Sequence, residues 1–301
     1  MKTVMAWVCA SALLAACSSV TASPTPAAIN GPVYPTATQS IGALQVVIVP
    51  TELVIGPNRF AVGLFDATGE IVLQAMVHFR YFDVSDPNAP VLESEADAER
   101  LTTPNGTAAI FAHERNFERA GRWGVDVQAR FPDGSTAARR VAFTVVAVAA
   151  TIAPGSKVPA IRTPIMTDVS GDLSLLTSAN PPNPAFYQVS LDRAIGNGKP
   201  TLLLFSTPAF CTSRLCGPAY DVLAQVQKSF GDRANFIHVE VYAGLPNPAA
   251  SNWQVAPAMQ AFGLSSEPWV YFIDNTGIVS YRIEGLVTAQ EIERHLNPLL
   301  R

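Results

Sequence analysis

The sequence is short of cysteine, histidine and charge. Four cysteines and four histidines occur in 301 residues. With so few thiols, any folded domain has to be held by hydrophobic packing rather than by a disulfide framework. Charged residues make up 15% of the chain and the net charge is -4, so there is no basic footprint and nucleic acid is excluded as a partner. Beyond the first 17 residues, no apolar run approaches the roughly 18–20 residues that a membrane-spanning helix requires. What is abundant is apolar residue: 49% hydrophobic content argues for well-filled cores, and about 260 residues after the N-terminal segment suffice for two domains.

The N-terminus reads as a targeting segment. Lys2 supplies a positive start, Val4 to Leu14 is almost wholly apolar, and Leu14-Ala-Ala-Cys17 closes it with small residues. That tetrapeptide resembles a bacterial lipobox. The resemblance implies that residues 1–16 are a lipoprotein signal peptide, that Cys9 is lost with it, and that Cys17 carries an acyl anchor. Residues 17–42, rich in Ser, Thr, Pro and Ala, read as a flexible tether. The expected location is extracytoplasmic, anchored to a bacterial membrane. Cys211 and Cys216 are then the only thiols left for chemistry.

The remainder divides by periodicity. Over residues 43–150, apolar side chains alternate with polar ones, as in Val77, Phe79, Tyr81 and in Trp123, Val125, Val127, Ala129. Turn signals at Asp66–Gly69, Pro104–Gly106 and Pro132–Gly134 separate the runs. This spacing predicts an antiparallel β-sandwich. The segments Gly56–Asp66 and Gly121–Asp126 look like immunoglobulin-like modules of exported bacterial proteins. Residues 151–184 read as a connector leading to an extended strand. From residue 185 to 301, strands alternate with helices, which predicts an α/β domain. Strands are expected at Thr201–Phe205, Phe236–Tyr242, Trp269–Ile273 and Ile278–Ile283, and helices at 256–262, at 291–296 and where Tyr220, Leu223, Val226 and Phe230 make one face ending at Gly231.

The most informative segment is Phe205-Ser-Thr-Pro-Ala-Phe-Cys-Thr-Ser-Arg-Leu-Cys-Gly-Pro218. It puts two cysteines where an apolar strand gives way to a helix. The positive end of the helix dipole there favours thiolate, the reactive form. Within one regular helix the two α-carbons would lie about 8 Å apart along the axis, beyond the roughly 4.4–6.8 Å a disulfide tolerates. A bond between them therefore requires Cys211 in the preceding loop or an unwound first turn, with helix proper starting near Gly217 ahead of Pro218.

The order of elements from Ser190 onward resembles the thioredoxin fold with an added N-terminal strand and helix, as in exported, membrane-attached thioredoxin-like proteins. Three motifs carry the resemblance: the strand-to-helix dicysteine, Glu267-Pro268-Trp269 before an apolar strand, and the hairpin Phe272–Gly277. It implies that Pro268 is a cis proline beside the cysteines, and that Pro268 and Trp269 shape a substrate groove. It further implies a thiol–disulfide oxidoreductase in which Cys211 attacks and Cys216 resolves, with exported proteins bearing thiols or disulfides as partners and no cofactor. Arg214 is placed to lower a neighbouring thiol's pKa. Two departures stand out. Four residues rather than two separate the cysteines, and Thr201–Phe205 lacks the carboxylate that thioredoxins bury there.

The same loop is similar to that of peroxiredoxins of the bacterioferritin-comigratory type, with Cys211 as peroxidatic and Cys216 as resolving cysteine. An extra residue between Thr207 and Cys211, and Pro268 where that family has arginine, separate the two. Cys216-Gly-Pro-Ala219 offers a further register, a thioredoxin motif with its second thiol lost. A non-enzymatic reading makes the region a binding module with a structural disulfide, or a copper chaperone of Sco type. The latter needs a histidine near the thiols, and neither His238 nor His295 is convincingly placed, so no metal ligands are assigned. Met76 and His78 share a strand face that reads as exposed surface.

Overall fold

The computed structural model describes residues 44–301. The expected signal segment 1–16, the expected lipidation site Cys17 and the expected tether 17–42 lie outside the described residues. Among those described, no helix is long and apolar enough to cross a membrane.

The alternating half forms eight strands: β1 (Gln45–Ile48), β2 (Gly56–Phe65), β3 (Met76–Asp83), β4 (Val91–Asp97), β5 (Glu99–Thr102), β6 (Ala109–Phe117), β7 (Gly121–Arg130) and β8 (Thr136–Val145). They make two antiparallel four-stranded sheets, ordered β1-β2-β6-β5 and β4-β3-β7-β8. The inward parity of β3 and β7 meets Phe60, Val62 and Leu64 of β2 and Phe111 and Phe117 of β6 in one core. Phe60 stands edge-on to Phe79 and Tyr81, with centroids 5.4 and 5.3 Å away, the offset geometry aromatic rings prefer.

The connector differs from its expected form. Residues 151–184 build no strand; they carry two 3-10 turns, Met166–Val169 and Leu173–Leu175, and a third begins at Pro184. Lys157 makes only an isolated bridge to Ile278, so the added strand of the resemblance is absent from the sheet. The segment is nevertheless packed, because Leu173 and Leu176 enter the neighbouring core and Val158 enters another. Burying one such side chain is worth roughly 1.5–3 kcal/mol, enough to fix a proline- and serine-rich chain that has little structure of its own.

The last part contains β9 (Thr201–Ser206), β10 (Asn235–Glu240), β11 (Trp269–Ile273) and β12 (Val279–Glu284), with α1 (Leu191–Ala194), α2 (Cys216–Phe230), α3 (Pro257–Ala261) and α4 (Ala289–Leu296). The sheet order is β10-β9-β11-β12. β10 runs parallel to β9, and β11 antiparallel to both β9 and β12. β9 is apolar without interruption because both its faces are covered. Leu202 and Leu204 meet Tyr220, Leu223 and Val226 of α2, while Leu203 and Phe205 meet Phe262 and Met259 on the other side. At the β11–β12 hairpin Gly277 adopts φ +89°, and a Cβ there would strike Ile195 at 2.7 Å.

The sandwich is joined to this domain through buried charge. Arg59 of β2 donates through Nε to Glu291 of α4 at 2.8 Å and through Nη2 at 3.1 Å. The same guanidinium donates to the carbonyls of Leu286 and Glu284. Glu291 also closes the capping box of α4 with Thr288. Arg282 of β12 pairs with Glu52 at 3.0 Å, and Glu284 accepts from the amide of Thr51 at 2.7 Å. Beside them lies an apolar cluster of Ala61, Leu101, Ile110, Ala112 and Leu286 against which Leu215 packs.

Candidate functional site

The site begins where β9 runs out of partners. After Ser206 the chain turns through Pro208 and Phe210, reaches Cys211, and enters α2 at Cys216. Arg214 adopts φ +61°, the left-handed conformation that brings the chain back on itself. The α-carbons of Cys211 and Cys216 thereby come to 6.0 Å, and the two sulfurs are bonded. The helix starts at Cys216, one residue earlier than expected, with Cys211 in the loop. The two sulfurs differ sharply in access. Cys216 is 0% exposed, and its neighbour Leu215 packs on the apolar cluster at the junction. Cys211 is partly exposed, and its sulfur lies 3.1 Å from the Ser213 hydroxyl. Arg214 itself is exposed.

The second part of the site comes from the segment before β11. The Glu267–Pro268 bond is cis, and Pro268 is buried. Trp269, expected at a substrate groove, is 2% exposed. It stacks on Tyr271 and donates its indole N–H to Ser266, so it is part of the core, on a strand that is buried on both faces. Glu267 takes that place. One of its carboxylate oxygens lies within 4.8 Å of both cysteine sulfurs. Among the described residues this half-buried carboxylate has no hydrogen-bond or ion-pair partner, and burial pushes its pKa up. No histidine joins the pair: the potential ligands gathered there, among the described residues, are Cys211, Cys216 and Glu267.

A second acid sits behind the loop. Glu240 ends β10 opposite Ser206 of β9. Its Oε2 accepts from the amide and hydroxyl of Ser178, at 2.8 and 2.9 Å. The Ser178 hydroxyl in turn accepts from the Ala209 amide at 3.1 Å, which ties a buried acid to the cysteine loop. Burial raises the Glu240 pKa against the lowering effect of the Ser178 amide and hydroxyl. Its Oε1 and the Thr207 hydroxyl are both buried without a hydrogen-bond partner. Next to it, His238 bridges two elements. Its Nε2–H donates to the Ser206 carbonyl at 3.1 Å, and Nδ1 accepts from the Tyr187 hydroxyl at 2.7 Å. Burial depresses its pKa to about 3, so this histidine is a neutral strut. His295, 3.1 Å from Glu114 and stacked on Tyr281, belongs to the junction with the sandwich.

Around Cys211 the surface is aromatic. Trp253, 46% exposed, stands edge-on to Phe210 at 5.5 Å and to Tyr242 at 5.2 Å. Burial, with Glu267 and Glu240 nearby, raises the Tyr242 pKa. Sequence reasoning missed Glu267, Glu240 and this aromatic wall. The available signals were an acid directly before Pro268 and another at the end of an otherwise apolar strand.

Residues 187–299 match the thioredoxin-like domain family. No curated protein matches the chain. Among solved structures, a thiol:disulfide interchange protein of the thioredoxin family from Chlorobium tepidum TLS is 20% identical over 50% of this chain and 99% of its own, with a TM-score of 0.34. A thioredoxin-like protein in its oxidised form is 22% identical over 38% of this chain and 84% of its own, with a TM-score of 0.30. CopC from Methylosinus trichosporium OB3b is 12% identical over 34% and 87%, with a TM-score of 0.23. The C-terminal part of this chain is a thioredoxin-like domain carrying a bonded cysteine pair at the head of its α2 helix.

Proposed function

We propose that the chain is an extracytoplasmic thiol–disulfide oxidoreductase, held at a bacterial membrane by a lipid on Cys17 and acting on exported proteins. The observation that carries the reading is the asymmetry of the bonded pair: one sulfur open to a partner, one sealed, and a half-buried acid beside both. A substrate thiolate attacks the accessible Cys211 sulfur, the Cys211–Cys216 bond breaks, and Cys216 leaves as a thiolate. Protonated Glu267 supplies the proton that neutralises it. A second substrate thiolate then attacks the substrate sulfur of the mixed disulfide and releases Cys211. In the reducing direction Cys211 attacks a substrate disulfide. Glu267 then takes the proton of Cys216, whose thiolate attacks Cys211 and frees the product. Glu267 thus fills the role left open by the apolar β9, since a sealed thiol has no water to exchange protons with. Arg214 favours the thiolate of Cys211 by its charge, and Phe210, Tyr242 and Trp253 offer apolar contact to residues flanking the substrate cysteine.

Trapping tests the assignment. Cys216→Ser is expected to accumulate mixed disulfides with exported proteins through Cys211, whereas Cys211→Ser accumulates none. Equal trapping by the two variants, or none by either, overturns it.

A further inference from the structure

We infer that, once its disulfide is reduced, the same pocket is a binding site for a thiophilic divalent cation of tetrahedral habit, with Cys211, Cys216 and Glu267 as ligands. The inference rests on the proposed redox reading in one respect only, that the pair is reducible in the folded protein.

Three facts point to a cation. The two sulfurs and a Glu267 oxygen all lie within 4.8 Å of one another. Donors around one zinc ion, at about 2.3 Å for sulfur and 2.0–2.2 Å for oxygen, stand about 3.5–3.8 Å apart. The cluster therefore needs only modest side-chain movement to surround an ion. The Cα separation of 6.0 Å places both side chains on one centre without backbone change. Second, the Glu267 carboxylate is half-buried and unpartnered, so a cation satisfies a group that the protein leaves unanswered. Third, reduction turns two neutral bonded sulfurs into potential thiolates, one at the first position of α2 where the helix dipole favours the anion. A cation bound between the three donors offsets the charge they take on as it displaces their protons.

The donor set also selects. Cu(I) is satisfied by soft thiolates alone, whereas two thiolates with a carboxylate suit a borderline ion such as Zn2+. The partial exposure of Cys211 and Glu267 leaves the fourth position to water and gives the ion a way in. The Ser213 hydroxyl, 3.1 Å from the Cys211 sulfur, is placed as an outer-sphere hydrogen bond to that ligand.

Metal and disulfide compete for the same sulfur electrons, so occupancy is gated by redox state. A phosphine reductant, with water, converts the disulfide to two thiols and is itself oxidised to the phosphine oxide. Zinc then displaces a proton from each thiol on binding. Because zinc binds only the dithiol, it raises the midpoint potential of the pair by about 30 mV for each tenfold excess over its dissociation constant.

The experiment uses the whole chain, reduced with a phosphine that is then removed, and titrated with Zn2+ against a chromophoric chelator, with Co2+ as a spectroscopic probe. The reduced protein is expected to take up one ion and to show a thiolate-to-cobalt charge-transfer band, while the oxidised protein takes up none. Glu267→Gln is expected to lower affinity at least ~10-fold while keeping two titratable thiols. Reduced wild-type protein that binds no zinc overturns the inference, as does a Gln variant that binds as tightly as wild type. Tight Cu(I) binding indifferent to that substitution overturns the role given to the carboxylate. A reduced protein that exchanges thiols yet ignores zinc sinks only the metal site. A folded protein whose disulfide resists the phosphine sinks both readings.

Discussion

The two polar edges of the thioredoxin-like domain handle buried charge in opposite ways. Toward the sandwich, Arg59 is clamped on Glu291, Arg282 on Glu52, and Glu284 accepts from Thr51 and Ser266. Toward the cysteine loop, Glu267 has no partner, Glu240 keeps one oxygen unbonded, and His238 is held neutral. The first arrangement fixes a geometry. Burial raises the pKa of Glu284 as it does those of Glu240 and Glu267, but Glu284 has the Arg282 charge beside it and hydrogen bonds from Thr51 and Ser266. Paired charge marks where the molecule is held together, and unpaired acid marks where protons move.

The contrast is easiest to break at Arg59. Replacing it with leucine leaves Glu291 buried and uncompensated, and unfolding by denaturant should show a loss of about 3–5 kcal/mol. A loss below about 1 kcal/mol would mean that the junction is not held by this pair. Replacing Arg59 and Glu291 together with apolar residues should recover much of the loss.

Acid titration sharpens the other side. His238 has a folded pKa depressed to about 3 from 6.5. The unfolded chain therefore binds more protons over that window, and stability falls as pH drops below 6.5, by about 2 kcal/mol at pH 5. Glu240 has the opposite sign. Its folded pKa is raised, so the folded state holds the extra proton, and stability falls as pH rises from 4.5 through that folded value. His238→Asn should flatten the acid limb, and Glu240→Gln should flatten the decline toward neutral pH. Parallel stability–pH curves for variants and wild type would remove both groups from the account.

The smallest effect belongs to the rim of the junction. Arg294 and Glu99 meet at 3.0 Å but are each 40% exposed. Arg294→Ala should cost under about 1 kcal/mol, and less at high salt. A larger loss would extend the buried-pair behaviour to the surface.

Much of this was legible in the chain. β11 spans Trp269–Ile273 as periodicity and the Pro268 boundary require, and β9 exceeds its expected end only by Ser206. The loop position of Cys211 follows from helix rise against disulfide reach. The connector was not legible, because Leu173 and Leu176 stand among serines, prolines and glycine with no periodicity, and their burial is decided by a core built from α2 and β9. The burial of Trp269 and the approach of Glu267 to the sulfurs were not legible for a related reason. Sequence places both beside Pro268, but Glu267 precedes β11, and only the folded path of the cysteine loop brings its carboxylate to the sulfurs while Trp269 is buried. Glu240 escaped notice because the acid was sought on β9, whereas it projects from the neighbouring strand.

Leu215 has one further consequence. It is the residue before the sealed thiol, yet the surface it packs on belongs to a different part of the chain, Ala61, Leu101 and Ile110. At Gly285 an added Cβ would come within 3.0 Å of Val49 and 4.0 Å of Leu215, so the fit there tolerates no spare atom. Excising residues 185–301 as a convenient fragment would keep both thiols and remove most of the apolar cluster on which Leu215, the neighbour of the sealed thiol, is packed. Measurements on such a fragment would describe a different reagent from the one the whole chain carries.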